Sequence, residues 1–389
     1  LTLADRFDQF DLPFFSPAHR ALAQHIDAIA FTQTARIDHS DTDSACKAWV
    51  HALGDAGILA HAVPAQYGGV AEQISSLALV TARETLAYHD GLADFAFAMQ
   101  GLGSGAIALA GGTSLKDAWL RKVAQGQAIA AFALSEPDAG SDVAAMQCKA
   151  TRTQVGWALN GTKTWISNGG IADFYTVFAR TGDSMRGTQD ISAFVVPADT
   201  PGLTVAERID VIAPHPLATL RFENCSISQD HLLGAQNEGF KIAMRTLDIF
   251  RTSVAAAALG FARRALDESL SHVRQRPMLG GRLADLQLTQ AALGEMAATI
   301  DAAALLTYRA AWLRDVRGAG TTKEAAMAKL AATEGAQQVI DRAVQLFGGL
   351  GVKRGNMVER LYREIRALRI YEGATEVQKL IVGREILKK

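Results

Sequence analysis

The sequence predicts an α+β fold: a helical N-terminal domain, a central antiparallel β-barrel or sandwich domain, and a C-terminal four-helix bundle. Two observations carry that prediction. Five of the nine prolines fall between Pro137 and Pro216, and only Pro277 follows. Proline breaks helix interiors, so the tail is free to form long helices. That tail is also rich in Ala, Leu, Glu, Gln and Arg, the good helix formers. The proline-dense middle carries short β-favouring runs separated by turn residues, the pattern of a small antiparallel β domain. The predicted domains are residues 1–130, 131–235 and 236–389.

The first domain reads as five helices: Pro17–Gln33, Asp43–Ala56, Ser75–Ala87, Phe95–Ala110 and Leu115–Ala124. In the middle, Val155–Ala158 and Thr162–Ile166 flank Asn160-Gly161, a two-residue hairpin signal. Phe174–Ala179, Ser192–Val196, Leu203–Ala206 and Thr219–Phe222 read as further strands. The tail reads as helices near 236–275, 281–316, 321–347 and 355–388. In the first of these, Ile242, Leu247, Phe250, Val254 and Ala258 suit a helix with a buried face.

Composition excludes several classes. The chain has 389 residues, is 49% hydrophobic and carries a formal net charge of −1. A charge so near zero gives no electrostatic drive toward nucleic acid or an anionic membrane. Cys46, Cys148 and Cys225 form no CxxC pair, so neither a zinc ribbon nor a disulfide scaffold is expected and a reducing compartment is the default. Strictly apolar runs such as Val254–Leu259 are far too short to span a bilayer. Asp5, Asp8 and Asp11 near the start are wrong for a signal or transit segment.

Some motifs fail on context. Gly101-Leu-Gly103-Ser-Gly105-Ala-Ile-Ala108 matches GxGxxA, but a helical segment precedes it and Val123 stands where an acidic residue belongs. Close helix packing explains it better. Phe347-Gly-Gly-Leu-Gly-Val-Lys353 is not a phosphate-binding GxxxxGK[ST] loop. The histidines are dispersed, with no HExxH spacing for a metal. No GxSxG elbow supports a serine hydrolase.

Three segments fit together. They are Phe132-Ala-Leu134-Ser135-Glu-Pro-Asp-Ala-Gly140-Ser141-Asp142, Asn160-Gly-Thr-Lys163-Thr-Trp165-Ile-Ser167-Asn168-Gly169, and Gln345-Leu-Phe-Gly348-Gly349-Leu-Gly351 followed by Tyr371-Glu372-Gly373. A flavin needs an aromatic neighbour, small hydroxyls for its ring heteroatoms, and glycine where backbone comes close. The first two segments supply all three. In order and spacing, the three segments closely resemble the acyl-CoA dehydrogenase family of flavoproteins, from about residue 45 to the C-terminus.

The resemblance implies FAD as cofactor, with Phe132, Leu134, Ser135, Gly140, Ser141, Trp165 and Ser167 around the flavin. The Ser167 hydroxyl would lie near flavin N5 and that of Ser135 near the pyrimidine side. Arg276 matches a residue that reaches the FAD pyrophosphate across a subunit interface, where guanidinium suits phosphate. Here Pro277 follows at once and Leu279 replaces the usual aromatic. Gln345, Gly348 and Gly349 match residues holding the adenosine-diphosphate half from a neighbouring subunit. The family norm is a homotetramer.

Glu372 matches the carboxylate that abstracts the α-proton of an acyl-CoA thioester. A carboxylate in a dry pocket is raised toward neutrality and becomes a competent base. Its own amide would serve as an oxyanion donor. A branch of the family places the base on the long helix, but Phe250 stands there. Asp248 and Arg251 match residues near the CoA pantetheine and the site, or pair within the helix. Ser141, Tyr371 and Gly373 complete the predicted substrate contacts. Ala374, Thr375 and Glu376 depart from the commonest tail. Ala96, Phe97 and Met99 are placed near the acyl cavity, where Phe97 either shortens it or packs in the core.

The implied function is dehydrogenation of an acyl-CoA to a trans-2-enoyl-CoA, with electrons passing to electron transfer flavoprotein. A same-fold oxidase using O₂ and a flavin monooxygenase are the alternatives. The expected compartment is bacterial cytoplasm or, in a eukaryote, the mitochondrial matrix.

Overall fold

The computed structural model describes residues 6–182, 187–318 and 320–388. Asp5, cited above for charge near the start, lies outside them. By internal contacts the chain divides into two compact units, neither continuous in sequence. One comprises Leu1–Thr34, Ser76–Asp94 and Arg251–Lys389; the other comprises Ala35–Ser75 and Phe95–Phe250.

The second unit carries the β structure. Helices α2 (Thr42–Asp55) and α5 (Thr113–Ala124) accompany most of α4 (Gly91–Ala110). Asp41 caps α2 by accepting from the Ser44 amide at 2.7 Å; such a cap offsets one orphan donor of the first turn. Eight strands follow: β1 (Ala130–Ala133), β2 (Lys149–Arg152), β3 (Gly156–Ser167), β4 (Phe174–Arg180), β5 (Ile191–Pro197), β6 (Leu203–Arg208), β7 (Leu217–Ser228) and β8 (Leu232–Leu233). They form one mixed sheet in the order β6-β7-β3-β2-β4-β5-β8, with β1 also on β4. Since β1 and β2 both run parallel to β4, the expected antiparallel barrel or sandwich is corrected to a mixed sheet.

The Asn160-Gly161 hairpin is also corrected. β3 runs straight through that dipeptide and pairs with β7 on both sides, with a register shift between Leu159 and Gly161. The positive φ that would suit a hairpin turn is used for a bulge instead. Gly161 has φ +144°, and a side chain there would begin 2.7 Å from Cys148 Cα. Asn160 Oδ1 accepts the Asn224 amide of β7 at 2.8 Å. Bulges twist and re-aim a strand without ending it.

The glycines of the failed GxGxxA pattern lie inside α4, at close packing contacts. A Cβ on Gly101 would fall 2.4 Å from Phe250, and one on Gly103 would fall 2.7 Å from Ala130. Phe250, 2% exposed, is thus core. Among the described residues α4 alone is long and apolar enough to cross a membrane, and 89% of its apolar window is buried, as in a core helix.

The first unit is helical: α1 (Pro17–Thr34), α3 (Ser76–His89), the distal part of α6 (Gly239–Gln275), α7 (Gln287–Arg317), α8 (Thr322–Phe347), α9 (Met357–Leu368) and α10 (Thr375–Leu387). Its core is alanine-rich, with Val254–Leu259, Ala303, Ala304, Ala328, Ala332 and Ala336 packed around Tyr308, Ile300 and Ile340. Small side chains let helices approach closely: a Cβ on Gly260 of α6 would fall 2.3 Å from the Glu84 carbonyl of α3. The expected last helix, 355–388, is two helices. The chain leaves α9 after Leu368 and re-enters α10 at Thr375, with Glu372 at φ +51° and Gly373 at φ +93° between them.

Candidate active site

The candidate site residues form one group in the β unit and two in the helical unit, one around Glu372 and one around Arg276. In the β unit, Phe132 stands on β1, half-buried, with its ring 4.9 Å from that of Phe178. The following loop carries Leu134, Ser135, Gly140 and Ser141. A buried ion pair fastens it to β3: Lys163 Nζ lies 2.7 Å from Glu136 Oε1 and donates to the Leu134 carbonyl at 3.0 Å. The remaining lone pairs of Glu136 accept the Cys148 and Gln147 amides at 3.0 and 2.5 Å. The Thr164 amide donates to the Ser135 carbonyl at 3.0 Å. A buried charge pair needs such saturation to be tolerated.

Beside this loop, β3 makes a second bulge between Lys163 and Ile166. Trp165 occupies it at φ +59° and is 59% exposed. A bulky residue in the left-handed region is strained, and so large an exposed ring gains little from burial in return. Ser167 ends the strand, half-buried. Asn168, buried at φ +60°, donates to the Ala130 carbonyl at 2.9 Å and ties the end of β3 to β1.

This surface fits a flavin. The side-chain hydroxyls of Ser135, Ser141 and Ser167 make no hydrogen bond to any described residue. No atom lies within 4 Å of where a Gly140 side chain would begin, so the chain itself does not demand glycine there. An exposed strained aromatic, three unspent hydroxyls and an uncrowded glycine are what a flat heteroaromatic ring with flanking backbone would use.

In the helical unit, Glu372 sits in the loop between α9 and α10. Its Oε2 is buried and accepts no hydrogen bond. Burial raises its pKa above the ordinary carboxylate value, against the pull of Arg83, Lys329 and Arg251, and with a push from Asp94. Arg83, 1% exposed, donates through Nε and Nη2 to the two Asp94 oxygens, each at 2.7 Å, and through Nη1 to Ser253 Oγ at 3.1 Å. That bidentate pair keeps Arg83 protonated in spite of its burial. The Tyr371 hydroxyl is buried beside it and is held protonated. Gln378 Nε2 donates to the Gly373 carbonyl at 2.8 Å.

Arg276 is exposed and opens a small hairpin of β9 (Pro277–Met278) and β10 (Gly281–Arg282). Leu279 at φ +48° and Gly280 at φ +81° make its two-residue turn. His272, one turn before Arg276, stacks on Phe347 at 4.1 Å and 16°. This contact brings Arg276 to the same end of the helices as Gln345, Gly348 and Gly349, all exposed. Asp248 and Arg251 lie three residues apart on α6, the latter 5% exposed. Ala96, Phe97 and Met99 are buried. The atypical tail resolves simply: Thr375 gives its hydroxyl to Glu334 Oε1 at 2.5 Å, and Glu376 is exposed in the first turn of α10.

The sequence reading left Arg83, Asp94 and Lys329 unassigned. No motif singles them out, although Lys329 shares a helical face with Ala325, Ala332 and Ala336, and a lone charge on an apolar face calls for a partner.

Family models for acyl-CoA dehydrogenase N-terminal, middle and C-terminal domains match residues 16–127, 131–225 and 237–387. The chain is 40% identical over 346 residues to the human mitochondrial short-chain specific acyl-CoA dehydrogenase, covering 88% of this chain and 82% of that protein. Its fold matches butyryl-CoA dehydrogenase from Megasphaera elsdenii with a TM-score of 0.89 and 32% identity, covering 96% and 99% of the two chains. It also matches PigA solved with FAD and proline, with a TM-score of 0.88, 26% identity and 96% and 98% coverage. With all three domain models matched in order, the chain belongs to the acyl-CoA dehydrogenase family of FAD-dependent oxidoreductases.

Proposed function

We propose that this chain dehydrogenates the Cα–Cβ bond of a short acyl-CoA thioester to the trans-2-enoyl-CoA, with Glu372 as the base. The observation that carries this reading is the buried, unpartnered Glu372 Oε2, raised by burial and presented by a loop that has left helical geometry. A raised carboxylate holds an abstracted proton well near neutral pH. Support for a short acyl group comes from the relatives named short-chain acyl-CoA and butyryl-CoA dehydrogenase.

FAD, when bound, supplies the acceptor for the hydride leaving the β-carbon. Phe132, Leu134, Trp165 and Gly140 shape the seat for its ring, while Ser135, Ser141 and Ser167 offer hydroxyls to its heteroatoms. Arg276, Gln345, Gly348 and Gly349 are assigned to the pyrophosphate and adenosine half, contributed to a neighbouring copy in a homotetramer. Glu372 takes the α-proton on Oε2. The Glu372 amide donates to no backbone carbonyl among the described residues and is assigned to the thioester oxygen, where enolate charge develops. Gly373 keeps that approach open. Tyr371, Ser141, Asp248 and Arg251 are assigned to substrate binding, and electron transfer flavoprotein is the proposed electron acceptor.

Anaerobic titration of the flavin absorbance with butyryl-CoA tests this. Wild type should bleach, and Glu372→Gln should bleach at least ~10²-fold more slowly, the lower end of the range for loss of a general base. Equal bleaching removes Glu372 from the role. Rapid reoxidation of the bleached enzyme by air would favour the oxidase over the dehydrogenase.

A further inference from the structure

Glu372 is held in place from α8. Lys329, 1% exposed, donates through Nζ to the carbonyls of Tyr371 and of Gly373, the latter at 2.5 Å. These carbonyls belong to the residues on either side of Glu372. Five residues along α8, Glu334 holds the two ends of the same segment. It accepts Arg369 Nε at 2.8 Å and Nη2 at 2.8 Å, and the Thr375 hydroxyl at 2.5 Å. The segment between α9 and α10 is therefore pinned at four points by two side chains of one helix.

A trans peptide is planar, and its C=O and N–H point in opposite directions. Fixing the Tyr371 carbonyl on Lys329 therefore also fixes the Glu372 N–H, which points away from that ammonium. The same contact places a positive charge near the carboxylate. The charged groups facing Glu372 are Arg83 from α3, Asp94 from α4, Arg251 from α6 and Lys329 from α8.

Building on the proposed base role of Glu372, we infer that Lys329 is a positioning residue for that base: its ammonium clamps the Tyr371 and Gly373 carbonyls, aims the Glu372 amide, and stabilises the carboxylate electrostatically. Burial costs this lysine some of its basicity, bringing it to about 8, with Glu372 opposing the shift and Arg251 adding to it. It remains protonated at neutral pH. The polar demand of the site explains the price in burying it: an ammonium with two strong acceptors is tolerated where a bare one is not.

The test uses holoenzyme carrying Lys329→Met or Lys329→Gln, with Glu372→Gln in parallel. Lys329→Met should lower kcat by roughly 10²-fold through misplacement of the base, while KM changes far less. Removing a nearby cation should also move the acidic limb of the kcat/KM profile to higher pH. Lys329→Gln keeps one amide donor but no charge, so it should recover part of kcat and show the same limb shift. Hydrogen exchange at the Tyr371 and Thr375 amides, which donate to the Ala367 and Arg369 carbonyls, should accelerate in Lys329→Met while the β unit exchanges as in wild type. An unmoved limb together with wild-type exchange at these two amides overturns the proposal. If Lys329→Met does not fold, the same two readouts on Lys329→Gln decide it. Rapid flavin bleaching by Glu372→Gln would sink the base reading; slow bleaching there with an unmoved limb and wild-type exchange in the Lys329 variants would sink only the clamp.

Discussion

Glu372→Gln should be more stable than wild type, and the gain should depend on pH in a way that reports the buried carboxyl directly. Glu372 is raised above its ordinary value of 4.5 in the folded chain. Below 4.5 the carboxyl is protonated in both folded and unfolded states and contributes nothing to their difference. As pH rises past 4.5, the unfolded chain ionises first while the folded chain still holds the proton. Over that interval the folded state loses about 1.36 kcal/mol per pH unit relative to the unfolded state. Above the folded pKa the loss stops growing. The amide of the variant does not titrate, so its advantage should climb at that slope and then level off. Urea unfolding of both proteins from pH 4.5 to 7 reads the difference, in which groups that do not interact with Glu372 cancel. Lys329 does interact with Glu372, and stopping at pH 7, a unit below the value of about 8 at which it titrates in wild type, keeps it largely protonated. The plateau height divided by 1.36 kcal/mol gives the shift without any activity measurement. A difference that is flat across the range would refute the claim that burial raises Glu372.

Further outcomes follow from the charged pairs and the strained tryptophan. Asp94→Asn leaves the Arg83 guanidinium, with both side chains under 5% exposed, without its counter-charge. About 3–5 kcal/mol of stability should be lost in urea unfolding. Arg83 then acts on Glu372 unopposed, so the acidic limb of the kcat/KM profile should move to lower pH, opposite to the Lys329 variants. Lys163→Met should cost a similar ~3–5 kcal/mol by stranding Glu136, and Lys163→Met with Glu136→Gln should recover much of it in a double-mutant cycle. Trp165→Gly removes a residue that is strained at φ +59° and 59% exposed. The apoprotein should gain about 1 kcal/mol in thermal unfolding while FAD binding by equilibrium titration weakens.

The long helices and most strands were legible because each is a local pattern: apolar periodicity, few prolines, β-branched runs. α1, α2, α3, α5, α6 and α8 begin and end within about three residues of their sequence-predicted limits, whereas α4 starts four residues earlier than expected, at Gly91, and α7 six residues later, at Gln287, because 281–286 complete the β9–β10 hairpin and a short 3-10 turn. The misreadings share another cause. Asn160-Gly161 has the local chemistry of a turn, yet β7 is long enough to pair with β3 on both sides of it, and pairing partners sixty residues away outweigh a dipeptide preference. Likewise, Arg366-Ala-Leu-Arg369 runs on in good helix formers, but Lys329 and Glu334 hold the following backbone out of helical geometry. The candidate site was legible through residue types that match a cofactor or a reaction. Arg83, Asp94 and Lys329 touch neither by any motif, and only their packing brings them around Glu372.

The backbone itself marks the same places. Six described non-glycine residues have positive φ: Trp165, Asn168, Asn224, Asn237, Leu279 and Glu372. Three are asparagines, whose short polar side chain tolerates that region. The other three have no such excuse. Trp165 is the proposed flavin neighbour, Glu372 is the proposed base, and Leu279 turns the hairpin that follows Arg276. A chain free to relax would put glycine or asparagine at each, so strain kept at a bulky or charged side chain implies that the side chain is needed there. At Glu372 the structure also shows what opposes the strain, since Lys329, Glu334 and Gln378 all bond the segment that carries it. At Trp165 the exposed ring has no comparable set of partners within the described chain. A bound flavin would supply that missing contact, which is why relieving the strain at Trp165 should stabilise the apoprotein and weaken its hold on FAD.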